Sequence, residues 1–393
     1  MTRKAGGIVL TVLICLGCGG GRSGVHRTVE NGVEIVLNPA EPVRLKGEPS
    51  TLTLDKIFVL DTEDDATAAL GVTDIAAFDV DREGNILILV PPTGPRDCLL
   101  KLSPDGKLLA SFGRIGQGPN EMEYPNEVLA NDNGEIWVFE SPKNKIHIFD
   151  GGGKPVASRS PIKFETIIPL ANGSNLVKRL DAGDLTQKYL SQAITLYDSD
   201  FRLAKELDRF TKAANSMIYE KVPEPYISGI GFILLGKASP ERIYVGNSDR
   251  GYEILVFDLG GRLVRKIRKE YSPVPVADVY KKKYLKNYIE YMPDYAKKIY
   301  FPDNWHPFQA FFPDEDGRLF VMTYEPGGRQ GEFIYDIFNQ DGALVTRTSL
   351  DAIHYGSGYL LARVRGDRLY AAQEKPSGFK QISVYRMTWK SRE

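Results

Sequence analysis

One short pattern recurs six times along the chain: two apolar positions separated by one residue, an aromatic position, then a turn. The copies are Leu99–Gly106 (LLKLSPDG), Ile146–Gly153 (IHIFDGGG), Ile194–Phe201 (ITLYDSDF), Ile254–Gly261 (ILVFDLGG), Tyr335–Gly342 (YDIFNQDG) and Ile382–Trp389 (ISVYRMTW). The first is the loosest, with Lys101 and Leu102 at the apolar and aromatic places. Period-two alternation marks a strand with one face buried. The first five copies break at Asp, Asn, Ser or Gly, the residues a hairpin turn requires. Six β units at irregular spacing predict an all-β ring of small sheets, a six-bladed β-propeller.

The remaining strands fall around these copies. Blades are expected over about 74–112, 126–158, 164–209, 227–268, 309–349 and 359–388. The sixth lacks an outer strand, because the chain ends soon after its third. An open sheet edge invites wrong pairing, so an N-terminal strand should close the ring. Leu54–Leu60 (LDKIFVL) is expected to do so, with Val33–Leu37 adding a further outer strand. Turns such as 81–84, 131–134, 258–261 and 314–317 are tight and share one face of the ring. Connections such as 113–125, 211–226 and 269–307 are long and share the other. Long loops on a rigid scaffold are where binding usually resides, so the long-loop face is expected to carry function.

One stretch reads as a helix: ADVYKKKYLKNYIEY at 277–291, closed by Pro293. Tyr280, Tyr284 and Tyr288 recur every four residues, and Lys281, Lys282, Lys283 and Lys286 lie largely on other faces. This helical insertion, about 277–299 between blades four and five, is expected to lie over the rim as a partial cover. Docking on a partner or an anionic membrane, or inert packing on a blade edge, are the competing readings.

Charge and cysteine usage narrow the class. The formal net charge of −1 argues against a nucleic-acid partner. Arg3 and Lys4 precede an apolar run at 5–17 that is too short to span a bilayer and reads as a signal peptide, 1–17. Gly17-Cys18 resembles the lipobox of bacterial lipoproteins, although Cys15 stands where that family usually has Leu. The resemblance implies acylation of Cys18 and a place in the bacterial cell envelope, anchored by lipid and facing the periplasm or exterior. Gly-rich residues 18–32 read as a tether, leaving 33–393 for the propeller. With Cys18 acylated, Cys98 has no partner, so no disulfide is expected.

The segment GRIGQGPN at 113–120, with Glu121, Tyr124 and Pro125 and the strands that follow, resembles NHL repeats. More closely, it is similar to the TolB-like six-bladed propeller lipoproteins of bacteria. The resemblance implies an exported propeller and no particular activity.

Candidate chemistry is sparse. Gly113, Gly116 and Gly118 lack phosphate-loop spacing and precede a strand, so they read as a crossover between blades. No His or Cys spacing suggests zinc, and no nucleophile elbow occurs. No catalytic residue, metal or cofactor is assigned. The expected function is a binding module whose protein, peptide or glycan ligand meets Arg114, Gln117, Glu121, Tyr284, Tyr288, Trp305 and His306. The membrane is the other partner, through the lipid anchor. The alternative is a propeller hydrolase or lyase with a metal-assisted site in the funnel, which needs about three converging ligands. An envelope scaffold would instead show an apolar patch.

Overall fold

The computed structural model describes residues 24–91, 96–182, 189–213, 227–228, 233–351, 355–356, 359–360 and 362–391. Six antiparallel sheets, each with four strands of its own, follow one another around a ring. Blade one runs from Ala77 to Arg114, blade two from Glu127 to Arg159 and blade three from Thr166 to Ala213. Blade four runs from Leu234 to Lys269, blade five from Ala310 to Asp351, and blade six from Ala362 to Lys390. The six sequence copies are the third strands of the six blades.

The tight turns share one chemistry. Asp81, Asn131, Asp150, Asp198, Asp258 and Asn339 each accept hydrogen bonds from the amides two and four residues on. The residue three places after each has positive φ and is Gly in five of them, with Phe201 (φ 58°) the exception. Gly153 also meets a space limit, since a Cβ there would lie 2.5 Å from the Phe112 ring. Between the blades, apolar side chains fill the gaps. One cluster joins blades four, five and six through Ile254, Phe311, Tyr335 and Leu369, and another joins blades six, one and two through Ile382, Ile88 and Val128. Each such fully buried side chain stabilises by roughly 1.5–3 kcal/mol.

The ring closes as the incomplete sixth blade requires. Thr51–Asp61 pairs antiparallel with Lys380–Lys390, from Thr51↔Lys390 to Asp61↔Gln381, and becomes the outer strand of blade six. Chain continuity cannot open the ring without breaking this ladder.

Val33–Leu37 goes elsewhere than expected. The strand Val33–Asn38 lies parallel to Leu263–Lys269 on the outside of blade four. The reason is a set of fixed partners. Asn38, buried, donates to the carbonyls of Arg268 and Gly342 and accepts from Leu344 N. Glu34 accepts from Arg265 Nε at 2.6 Å. The tether is also shorter than 18–32, because His26–Glu30 forms a fully exposed strand that pairs with Val33–Leu37. The signal peptide 1–17 and Cys18 lie outside the described residues.

Blades four and five are pinned by a buried charge network. Asp336 lies 3.2 Å from Lys269 Nζ and accepts from Tyr252 Oη (2.6 Å) and Arg347 Nε (2.8 Å). Neither Lys269 nor Asp336 reaches water.

Candidate functional site

The long-loop face carries the helical insertion. The chain leaves blade four at Lys269 and enters blade five at Ala310. Backbone bonds from Val276 N to Asp303 O and from Trp305 N to Val274 O close its base. Above this stem stand the helix Asp278–Tyr291 and a short turn, Pro293–Ala296. The parallel pair Ile227–Ser228 with Ile299–Tyr300 ties the insertion to the connection between blades three and four.

The tyrosine stripe buries itself against the returning half of the insertion. Ring centroids run from Tyr288 to Tyr284 (5.4 Å), to Tyr280 (5.9 Å), and to Trp305 (4.6 Å). Phe301 meets Tyr280 and Tyr284 edge-on. Trp305 then stacks on Tyr324 at 4.5 Å and 10°. Tyr324 belongs to Leu319–Pro326, the second strand of blade five, near its long-loop end. The insertion therefore meets the rim through Trp305, with Tyr284 and Tyr288 further along the run. All of these rings are half-buried, as is His306. Burial raises the Tyr280 hydroxyl pKa. On the opposite side of the helix, Val279, Lys282, Lys283, Lys286 and Ile289 are exposed.

Arg114, Gln117 and Glu121 form a separate group in the crossover from blade one to blade two. Arg114 Nε lies 3.3 Å from Glu121 Oε1, and Glu121 Oε2 accepts from Gly118 N at 2.8 Å. A Cβ on Gly116 would sit 2.0 Å from that carboxylate. The glycines thus make room for Glu121 to close the loop, while Gln117 and the Arg114 side chain stay exposed. In a six-bladed ring this crossover and the blade four–five insertion stand across the axis from each other. The seven sequence candidates make two groups, not one site.

The opposite end of the axis holds charges that the sequence reading passed over. The inner strands there enclose a cavity of about 170 Å³ whose wall includes Asp79, Lys237, Arg363 and Arg365. Arg363 Nε donates to Asp79 Oδ1, and Asp79 Oδ2 accepts from Ala130 N at 2.8 Å. Arg365 donates to Val80 O (3.0 Å) and to Glu315 (2.8 Å). The available signal was a charge inside an otherwise apolar inner strand: Asp79 in AFDV, Glu127 in EVLA, Lys237 in LLGKA.

Two buried groups have structural roles. Cys98 is fully buried with its Sγ 2.9 Å from Gly113 O, and burial pushes the thiol up to about 12. His147 Nε2 lies 2.7 Å from Glu140 Oε2, and Glu140 Oε1 accepts from the amides of Glu123 and Tyr124. Burial opposes ionisation of Glu140, but His147 and the two amides outweigh it and hold the carboxyl near 2. His354 lies outside the described residues. Among the described residues, no group of three or more His, Cys, Asp or Glu side chains is placed to hold a metal ion. No described helix is long and apolar enough to cross a membrane.

No protein-family model matches this chain. Human NHL repeat-containing protein 3 is 32% identical over 71 residues, 18% of this chain and 20% of that protein. The chain thus spans about a fifth of that curated relative's length. Among solved structures, a Bacteroides fragilis protein assigned as exported is similar over 90% of this chain and 99% of its own, at 12% identity and a TM-score of 0.49. A DUF4221-family member from Bacteroides vulgatus is similar over 87% of this chain and all of its own, at 12% identity and a TM-score of 0.46. At such identities nothing about activity passes between the chains.

Proposed function

We propose that this propeller is an exported, lipid-anchored binding module whose peptide or glycan ligand meets the long-loop face along the ring run from Tyr288 to Tyr324. The run itself carries the reading. Its rings are half-buried and continuous, and they are fixed to blade five through the Trp305–Tyr324 stack. Rigid aromatic surface with polar tips binds apolar and hydrogen-bonding faces together at small entropic cost.

The direction of the N-terminal strands adds to it. Val33–Asn38 runs parallel to Leu263–Lys269, toward the long-loop side, and His26 pairs with Leu37. The chain therefore enters the fold on the long-loop side. Seven residues separate Cys18 from His26, and the eight steps between them reach at most about 29 Å when extended. An anchor at Cys18 keeps the binding face close to the membrane, so the ligand is membrane-proximal. The alternative reading, a metal-assisted hydrolase or lyase, has no ligand set among the described residues in its support.

The test is an array of neutral and acidic oligosaccharides and random peptides probed with the mature protein and with a Tyr284→Ala/Tyr288→Ala variant. The reading expects binders that the variant loses while its melting curve stays near wild type. Binders retained in full by the variant would refute it.

A further inference from the structure

We propose that the outer face of the helix Asp278–Tyr291 docks on the anionic phospholipid headgroups of the membrane that holds the Cys18 anchor, an inference that rests on the lipid-anchored reading. The tyrosine stripe occupies the other face of the same helix, so ligand and membrane do not compete for side chains.

A helix turns about 100° per residue, which puts Val279, Lys282, Lys283, Lys286 and Ile289 on one arc of about 120°, opposite Tyr280, Tyr284 and Tyr288. All five are exposed, Val279 at 75% and Ile289 at 59%. Among the described residues, Lys282, Lys283 and Lys286 enter no ion pair or hydrogen bond. Their neighbours Lys281 and Lys297 are answered by Asp278 at 3.4 Å and Asp294 at 2.9 Å. Glu290 is the one carboxylate on the arc, and Glu270 and Asp303 belong to the stem.

A run of lysines on a helix is ordinarily a solvated face. The place of this one singles out a partner. His26 pairs with Leu37, and Leu37 pairs with Arg268, the residue before the chain leaves blade four. Neighbouring strands lie about 4.8 Å apart, so the tether to Cys18 begins about 10 Å from the root of the insertion. Both rise from the same edge of blade four, on the long-loop side. Residues 19–25 carry Arg22 as their only charge, so the tether places no carboxylate between helix and membrane.

The chain as a whole is slightly negative, −1, and an anionic surface would repel it if every charge counted equally. Screening decides otherwise. Charges more than about 8 Å from the surface are largely screened at physiological salt, so the nearest side chains set the sign. Each lysine beside an anionic leaflet raises the docked-to-free ratio about fivefold, and three lysines less one glutamate leave about twenty-five-fold. Val279 and Ile289 add only small apolar contacts at the ends of the arc, so the attraction is chiefly electrostatic.

The experiment couples the mature chain through Cys18 to a maleimide lipid, in vesicles of phosphatidylcholine alone or with about a third phosphatidylglycerol. Cys98 is buried and does not compete for the coupling. Because the tether is made chemically, the result does not depend on acylation in the cell, which Cys18 labelling tests separately. A water-soluble amine-reactive ester then labels the lysines, read by peptide mass spectrometry. On the phosphatidylglycerol vesicles, labelling of Lys282, Lys283 and Lys286 should slow at least about fivefold, and about 1 M salt should restore it. Exposed Lys107 and Lys154, at the tight-turn end, should label alike on both vesicles. Lys282→Gln/Lys286→Gln removes exposed, unpaired charges and should fold as wild type. It lowers the docked-to-free ratio about twenty-five-fold, so Lys283 should then label at one rate on both vesicles. Equal labelling of the wild-type helix on both vesicles, or protection of Lys283 that persists in Lys282→Gln/Lys286→Gln, would overturn the proposal.

Discussion

Replacing Glu140 tests how the binding face is held at its blade-two side. The carboxylate is buried and serves three donors: the amides of Glu123 and Tyr124, which end the blade one–two crossover, and His147 Nε2. Glu140→Ala leaves all three without an acceptor in a site closed to water, which costs about 3–5 kcal/mol. Glu140→Gln keeps an acceptor oxygen and isolates the charge. Lowering the carboxyl from its ordinary 4.5 to about 2 is worth about 3 kcal/mol at neutral pH. The folded pKa lies below the unfolded one, so this contribution is full above 4.5 and is lost as pH falls toward 2. Urea unfolding of wild type and Glu140→Gln across that range is the assay. The gap should be widest at neutral pH and close as the solution is acidified. A gap that stays constant down to pH 2, or no gap at pH 7, would refute the reasoning.

Asp336→Ala strands buried Lys269 and takes the acceptor from Tyr252 Oη, while Arg347 keeps Glu325 and Glu41, and it should cost about 3–5 kcal/mol by urea unfolding. Deleting 51–61 removes the strand that closes the ring, with buried Leu52 and Leu60, and should cost more than about 5 kcal/mol. Trimming 24–30 removes mostly exposed side chains, half-buried Val25 and the surface contacts of Arg27 with Glu34 and Asp341 O, and its melting curve should nearly overlay the wild type. Cys18→Ala should move the protein from the membrane fraction to the soluble one or leave it unprocessed, as fractionation and fatty-acid labelling would show.

The propeller was legible because its third strands are buried on both faces and repeat a turn whose chemistry is local. An Asx side chain at the first place and positive φ at the fourth depend on neighbours in sequence, so Asp81–Gly84 and Asp258–Gly261 announce themselves. Ring closure was legible for a different reason: counting strands showed one missing. The place of Val33–Asn38 was not. Its alternation says strand, but its seat beside blade four depends on Arg265, Arg268 and Leu344, more than two hundred residues away.

The candidate site divides along the same line. The tyrosine period at 280, 284 and 288 gave a helix and its buried stripe. It gave no sign that Trp305 would join that stripe to Tyr324, which needs the insertion folded back on its stem. Gly116 and Gly118 read as turn residues, yet their function is to admit the Glu121 carboxylate. Lys237 was passed over because a single charge in LLGKA looks like an edge substitution until six inner strands are brought around one axis.

The most direct test of the binding account is hydrogen–deuterium exchange on the mature protein, with and without a ligand recovered from the array. The account predicts slowed exchange in the backbone of 278–305 and around Tyr324, with the crossover at 113–121 and the channel end of the inner strands unchanged. Slowing confined to the inner strands near Lys237, or to the crossover alone, would contradict it.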